Sequence, residues 1–418
     1  MKISLTIVTT LTLLTLLTAC GNKEAGNQAY QTGPQSQAKK SPADDQKLAP
    51  LKKRMEKALD RGVKVLSQYH DLKSGMVGFS PVDVQNTRHP GFAAMAALAY
   101  MQSYRKYGME DGPIVRNILD WLVSLQKPDG SIFERDSANY VTSLALSALV
   151  EIGDDRYAKA IEKARDFVVR LQAREDSGFK PSDKFYGGVG YGGDMRPDLS
   201  NAQFSIEAVQ KAGLPKDHPF FRRAIAFLER TQNWSETNDQ VWKDKDGKPV
   251  HPGNDGGAMY LPGETKAGIT VHPDGRRSFN SYGSMSYALL KSYLFCGLDR
   301  NDPRVKAVAS WCHKNFDLDT HPGFQPGKDG TGRYQGLYYY YFSMSKCLHV
   351  YGQVEIETND GVKVNWAESV AEKLLQLQSK DGFWVNDKNA RWEEASELLC
   401  TLYAMRALEQ CYQTLYGK

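Results

Sequence analysis

The side chains of this sequence that could do chemistry fall in a few stretches rich in turn residues. The carboxylates Asp194, Asp255, Glu393 and Glu394 and the cations Arg276, Arg277, Arg333 and Arg391 all occur there. A carboxyl group held over an aromatic cavity works as a general acid once its pKa is raised. Asp255, Asp194 and Glu393 are therefore candidate catalytic groups. Singly, each also reads as a surface ion pair or a helix cap, and Glu394, just ahead of a helix start, illustrates the second reading. Tyr338, Tyr339, Tyr340 and Tyr341 are consecutive. At about 100° per helical residue they cannot share a face, whereas Tyr338, Tyr341 and Phe342 can. Tyr282 and Ser286 line up in the same way. Such rings hold an apolar chain, stabilise a cation or stack on sugars; simple core packing is the plain alternative. The run from Tyr186 to Asp194 holds five glycines, which permit close backbone approach to a ligand beside Tyr191. It opens no strand–helix unit, so it does not read as a nucleotide loop. His251, His272 and His321 match no metal-ligand spacing, and neither a metal nor another cofactor is expected. The expected substrate-binding set is Tyr191, Asp194, Asp255, Arg276, Arg277, Tyr282, Arg333, Tyr338, Tyr341 and Phe342.

These residues must be positioned by a repeat. One segment type is a helix with an apolar stripe, a polar turn and an aromatic. It recurs at 61–79, 116–133, 162–179, 222–242, 306–324 and 368–384. Gln126, Gln172, Gln232 and Gln378 end several of these helices, and Asp129-Gly130 and Asp381-Gly382 make turns in which glycine supplies positive φ. The other type is richer in small and aromatic residues and apolar on nearly every side. It occupies 90–104, 139–153, 198–213, 281–297, 335–352 and 395–412. A helix apolar all round is buried, and one charged on a single face forms an outer wall. Pairs with one uncovered face must stack, and six even pairs predict a closed, single-domain, all-α (α/α)6 toroid over 47–416. An open solenoid or two three-pair bundles are the alternatives.

The N-terminus reads differently. Lys2, the uncharged run Ile3–Ala19 and small residues before Cys20 form an export signal over 1–19. Leu17-Thr18-Ala19-Cys20 resembles a bacterial lipobox, which implies that Cys20 becomes the lipidated first residue and anchors the protein to the bacterial membrane. No Asp follows Cys20, so transfer to an outer membrane fits. Residues 20–46, polar and poor in large apolar side chains, cannot offset their ordering entropy and read as a flexible tether. A net charge of +4, from 53 Lys+Arg against 49 Asp+Glu, is too balanced to argue for nucleic acid. Cys296, Cys312, Cys347, Cys400 and Cys411 are odd in number and do not read as a disulfide framework, although a single Cys296–Cys347 bond remains open.

Gln126–Phe133 and Gln378–Trp384 each read Gln-x-x-Asp-Gly with an aromatic shortly after, and they resemble the QW repeats of squalene and hopene cyclases. The region 47–416 resembles the squalene cyclase and prenyltransferase β-subunit superfamily. That resemblance implies an (α/α)6 toroid with a central chamber. The reaction motifs of the superfamily are not matched. No Asp-x-Asp-Asp run occurs, since Asp44-Asp45 and Asp154-Asp155 lack the first Asp. Tyr282-Gly283-Ser284 stands where prenyltransferases place zinc-binding Asp and Cys. Asp255-Gly256-Gly257 with Arg276 and Arg277 is only loosely similar to the diphosphate-binding segment, and the Cys-Gly-Glu-Gln thioester run is absent.

Links preceding the inner helices are long, at 180–198, 243–280, 325–334 and 385–394, and the alternating topology brings them to one rim. Six helix N-termini point there and favour an anionic or electron-rich ligand group. Three functions follow. The first is an isoprenoid- or apolar-ligand toroid, which requires a deep chamber. The second is a non-enzymatic scaffold binding a protein partner through its rim, whose chamber would be plugged by its own tyrosines. The third is a glycosidase or polysaccharide lyase, which requires an open groove with paired carboxylates.

Overall fold

The computed structural model describes residues 42–192, 196–244 and 246–417. The export signal, Cys20, the tether up to residue 41 and the candidate Asp194 lie outside the described residues. Six outer helices alternate with six inner ones. The outer set is α1 (Pro42–Gln68), α3 (Pro113–Ser124), α5 (Ala158–Arg170), α7 (Pro219–Thr231), α9 (Pro303–Lys314) and α11 (Trp366–Leu377). The inner set is α2 (Pro90–Gln102), α4 (Ala138–Ile152), α6 (Leu199–Lys211), α8 (Gly283–Phe295), α10 (Leu337–Tyr351) and α12 (Glu397–Tyr416). The first turn of α1 overlaps the end of the segment expected to be tether. No described helix is long and apolar enough to cross a membrane.

The two sequence patterns separate as their burial requires. Every residue of α2 is buried, whereas α5 buries only Ala160, Ala164, Phe167 and Val168. Each inner helix packs on the next, and α12 packs on both α10 and α2, so the ring is closed. At the seam the rings of Tyr104 and Tyr412 lie 5.9 Å apart, and Tyr412 donates its hydroxyl hydrogen bond to Glu56 at 2.8 Å.

One glutamine clamp repeats around the wall. The side-chain Nε2 of Gln126, ending α3, donates to Gly130 O and to Ala160 O in α5. Gln172 donates to Gly187 O and Phe220 O in α7, and Gln232 to Gly256 O and Arg304 O in α9. Gln378 donates to Gly382 O and to Ala58 O in α1, so the same clamp shuts the circle. These bonds satisfy helix-end and turn carbonyls that would otherwise be buried unpaired. The turn glycines are required twice over. Gly187 has φ +85, and a Cβ there would lie 1.8 Å from Arg223 O of the next outer helix.

Among the described residues, four two-stranded antiparallel hairpins decorate the ring, the largest loop carrying 242–243/249–250 and 269–271/277–279. All five described cysteines are free, so no Cys296–Cys347 bond forms.

Candidate functional site

Three of the long links, 180–198, 243–280 and 385–394, meet at the rim where the inner helices begin and, with the links before α2 and α4, line a chamber of about 930 Å³, to which the link 325–334 gives no lining residue. The first turns of the inner helices form its lower wall. Tyr140 of α4, Tyr339 of α10 and Tyr403 of α12 line it together with Leu144, Met95 and Leu399. Tyr260 and Tyr282 add rings from the long loop before α8. Phe79, Tyr191 and Trp392 stand at the mouth, each about two-fifths exposed. Behind the floor lies a second aromatic layer. Phe204 sits 4.5 Å from Tyr140 and stacks 6.2 Å from Phe342, which stacks 5.5 Å from Tyr403.

The helix N-termini are not left for a ligand. His89 Nδ1 accepts from Gly91 N in α2, and Asp198 accepts from Asn201 N in α6. His321 Nε2 accepts from Ser284 N in α8 at 2.9 Å. Tyr191 O accepts from Asn139 N in α4. Ser396 caps α12. The expectation of exposed positive helix ends is thereby corrected: side chains and carbonyls from neighbouring loops take up the free N–H groups. His321 is fully structural. Burial pushes it down to about 3, and its Nδ1 pairs with Gln335 O at 2.8 Å.

α10 is capped from outside its own segment. Glu394 accepts Tyr339 N at 2.8 Å through one oxygen and Asn386 Nδ2 at 2.7 Å through the other. It lines the chamber and is buried, and desolvation raises its carboxyl to about 7 against the pull of these donors. Beside it, Trp392 and Glu393 both hold left-handed φ, at 57° and 64°, as does Ser137 across the chamber at 55°. Such backbone costs about 1 kcal/mol or more per non-glycine residue and persists where surroundings enforce it. Trp392 lies against Gly336, where a Cβ would come 2.7 Å from the indole.

Charge is concentrated in pairs on the upper wall. Arg88 pairs with Glu134 at 2.9 Å. Arg196 and Lys266 converge on Glu264. Arg135, Asp136 and Glu393 also face the chamber.

Of the residues singled out from sequence, Tyr191, Tyr282 and Glu393 line the chamber. Asp255 does not. Its carboxylate accepts Ser281 Oγ at 2.7 Å, Gly257 N at 3.0 Å and Trp311 Nε1 at 3.2 Å, and loss of solvent around the carboxyl raises its pKa although the residue keeps an exposed edge. It ties α9 to the loop before α8. Arg277 pairs with Asp244 at 2.6 Å to hold a hairpin, and Arg276 is exposed beside Asp274. Arg333 lies over the Tyr334 ring at 5.6 Å. Tyr338, Tyr341 and Phe342 do share a face, but that face is packed. Tyr338 stands 5.8 Å from Tyr341, whose hydroxyl donates to Leu318 O. Tyr339, which the same argument set aside, is the tyrosine of the run that reaches the chamber. Arg391 lies 4.6 Å over Trp392 and donates to Gln335. His251 and His272 sit in the hairpin region, and no group of metal-ligating side chains occurs among the described residues.

Beyond the second layer a buried ion network joins α6, α8 and α10. Glu207 of α6 accepts Lys291 Nζ at 2.7 Å and Lys211 Nζ at 3.1 Å, with Lys346 Nζ at 3.7 Å. Burial pushes Lys346 down to about 7. Lys291 lies 5.5 Å over Phe204, and Arg406 lies 4.9 Å over Phe342. The chamber is thus closed from below by aromatic and charged layers in turn.

Residues 82–251, spanning α2 to α7, match the family model of the squalene-hopene cyclase C-terminal domain. No curated relative matches the sequence. Among solved structures, the chain is similar to a variant of the type II terpene cyclase MstE from Scytonema without ligand. The identity is 11%, the match covers 88% of this chain and 99% of the other, and the TM-score is 0.51. A second MstE variant, in complex with its substrate geranylgeranyl dihydroxybenzoate, is similar at 12% identity over 88% and 100% of the two chains, also with a TM-score of 0.51. At such identities the likeness is one of fold. With twelve alternating helices and a shut ring, the chain has the α/α toroid fold of these terpene cyclases, and its segment 82–251 is similar to the squalene-hopene cyclase C-terminal domain.

Proposed function

We propose that this protein is an exported, lipid-anchored toroid that binds an isoprenoid or similar apolar small molecule in its rim chamber. The carrying observation is the chamber of about 930 Å³, towards which nine Phe, Tyr and Trp rings turn. That volume lies at the upper end of ordinary small-molecule sites. Apolar burial against ring faces supplies affinity at roughly 25 cal/mol per Å², while the paired charges of the upper wall suit a polar head group. Cys20, with the lipobox-like residues before it, supports anchoring at a membrane, where apolar molecules are abundant. The scaffold reading called for a chamber plugged by tyrosines, and this chamber is open. The carbohydrate reading called for an open groove with paired carboxylates; the rings around this chamber favour an apolar ligand, and of its carboxylates Glu134 is engaged by Arg88 and Glu394 by two N–H donors, while Asp136 and Glu393 also face it. Glu394 is the chamber carboxyl suited to carry a proton near neutral pH, should the ligand be transformed as well as held. Native mass spectrometry after incubation with geranylgeraniol tests the reading. A one-to-one adduct that weakens in Tyr339→Ala and Trp392→Ala supports it; no adduct with the wild-type chain contradicts it.

A further inference from the structure

The buried ions beyond the second aromatic layer are not all paired. Glu207 accepts Lys291 Nζ at 2.7 Å and Lys211 Nζ at 3.1 Å, but Lys346 Nζ stays at 3.7 Å, outside hydrogen-bond reach. Arg406 of α12 is 5% exposed, and its Nε and Nη1 meet no acceptor. The Phe342 ring, 4.9 Å away, offers the guanidinium its π-face but no lone pair. Arginine cannot shed a proton to escape this position. A buried charged donor without an acceptor is among the costlier omissions in a fold.

The charges around these two side chains do not balance either. Lys346 feels Lys211, Glu207, Glu151 and Arg406, and Arg406 feels Glu207, Glu409 and Glu151. Among the described residues the cluster thus joins the cations Lys211, Lys291, Lys346 and Arg406 to the carboxylates Glu151, Glu207 and Glu409, leaving one positive charge in excess. Loss of the Lys346 proton would even the count, yet Arg406 would still present two N–H groups to nothing. Water would pair those groups and leave the charge. A monovalent anion answers both deficits, whereas a divalent one would overshoot the excess. Lys346, Arg406 and Glu207 keep 7, 5 and 8% of their surface accessible although all three stand on inner helices, so a narrow opening borders them rather than solid packing.

We infer that Arg406 and Lys346 hold a small monovalent anion of halide size between α12 and α10. The two helices pack directly on each other, and the ion draws their repelling cations together. It also braces the chamber from behind. Phe342, which lies over Arg406, stacks 5.5 Å from Tyr403, and α10 and α12 are the helices that bring Tyr339 and Tyr403 to the chamber. The site stands apart from the chamber's own ligand and does not depend on it.

The test exchanges sodium gluconate, with its far larger anion, for sodium bromide at constant ionic strength and follows thermal unfolding of the intact protein. An ion that binds the folded state alone raises Tm with its concentration, here by at least about 2 °C at about 0.2 M bromide. The shift is expected to fall below about 0.5 °C in Arg406→Met and in Lys346→Met. Bromide-soaked crystals of the wild type are expected to show an anomalous peak touching both side chains, which keeps the inference testable if a variant fails to fold. A wild-type Tm indifferent to bromide overturns it and leaves water as the guest. So does an undiminished shift in both variants, or crystals without a peak at Arg406. A peak without a shift in Tm shows binding at crystal concentration only and overturns it as well.

Discussion

Glu394 accepts the backbone N–H of Tyr339 at 2.8 Å, joining the loop before α12 to the first turn of α10 across 55 positions of sequence. One carboxyl group therefore caps a helix, holds Asn386 and faces the chamber. Its folded pKa of about 7 stands above the ordinary 4.5 because burial disfavours the charge. Between those values the folded state holds a proton that the unfolded state has released. Stability from this group is therefore present below pH 4.5 and is lost as pH rises to about 7, by up to roughly 3 kcal/mol. Urea unfolding at a series of pH values, wild type against Glu394→Gln, is expected to show the wild type losing ground over that window. A difference that stays flat would mean that Glu394 is ionised throughout.

The glutamine clamps should be worth more than surface contacts. Gln232 Oε1 also accepts the buried Tyr293 hydroxyl at 2.9 Å. Gln232→Ala thus strands two carbonyls and a phenol, and about 2–4 kcal/mol of destabilisation is expected. Gln378→Ala opens the α11–α1 joint instead. Hydrogen exchange should then rise in α1 and α11 before the rest of the ring, while a uniform rise would deny the joint its local role.

Removing Glu207 leaves Lys291, with a side chain 1% exposed, without its counter-ion. Glu207→Gln should cost about 3–5 kcal/mol, and the double replacement Glu207→Met with Lys291→Met should recover part of that loss. Thermal unfolding of the wild type and the two variants checks the order. A double variant less stable than Glu207→Gln would show that the network does more than satisfy its own charges.

The ring was legible in the sequence because its signals are local and repeated: an apolar stripe on one helix type, apolar residues all round on the other, and glutamine–glycine turns. The rim was legible as well, since link lengths and alternating direction decide it. The particular side chains were harder. Which of four consecutive tyrosines enters the chamber depends on the rotation of α10 about its axis, fixed by distant contacts such as Tyr341 to Leu318 O. Asp255 beside two glycines had the look of a ligand site, yet Trp311 and Ser281, remote in sequence, consume its oxygens. Glu394 was visible as a cap, but the helix it caps is not its own.

Gly336 separates stability from ligand holding. Its φ of +64 and its contact with the Trp392 ring leave no room for a side chain. Gly336→Ala should displace the indole from the chamber mouth at a cost of about 1–2 kcal/mol. Ligand off-rates measured by tryptophan fluorescence should rise severalfold while the fold persists. Unchanged off-rates would remove Trp392 from the site.

The most direct measurement is photo-crosslinking with a benzophenone-bearing polyprenyl ketone, followed by peptide mapping. Labels are expected in the first turns of α4, α10 and α12, around Tyr140, Tyr339 and Tyr403, and on the loop bearing Trp392. Labels confined to the outer helices, or none competed away by unlabelled ligand, would contradict a ligand chamber at this rim.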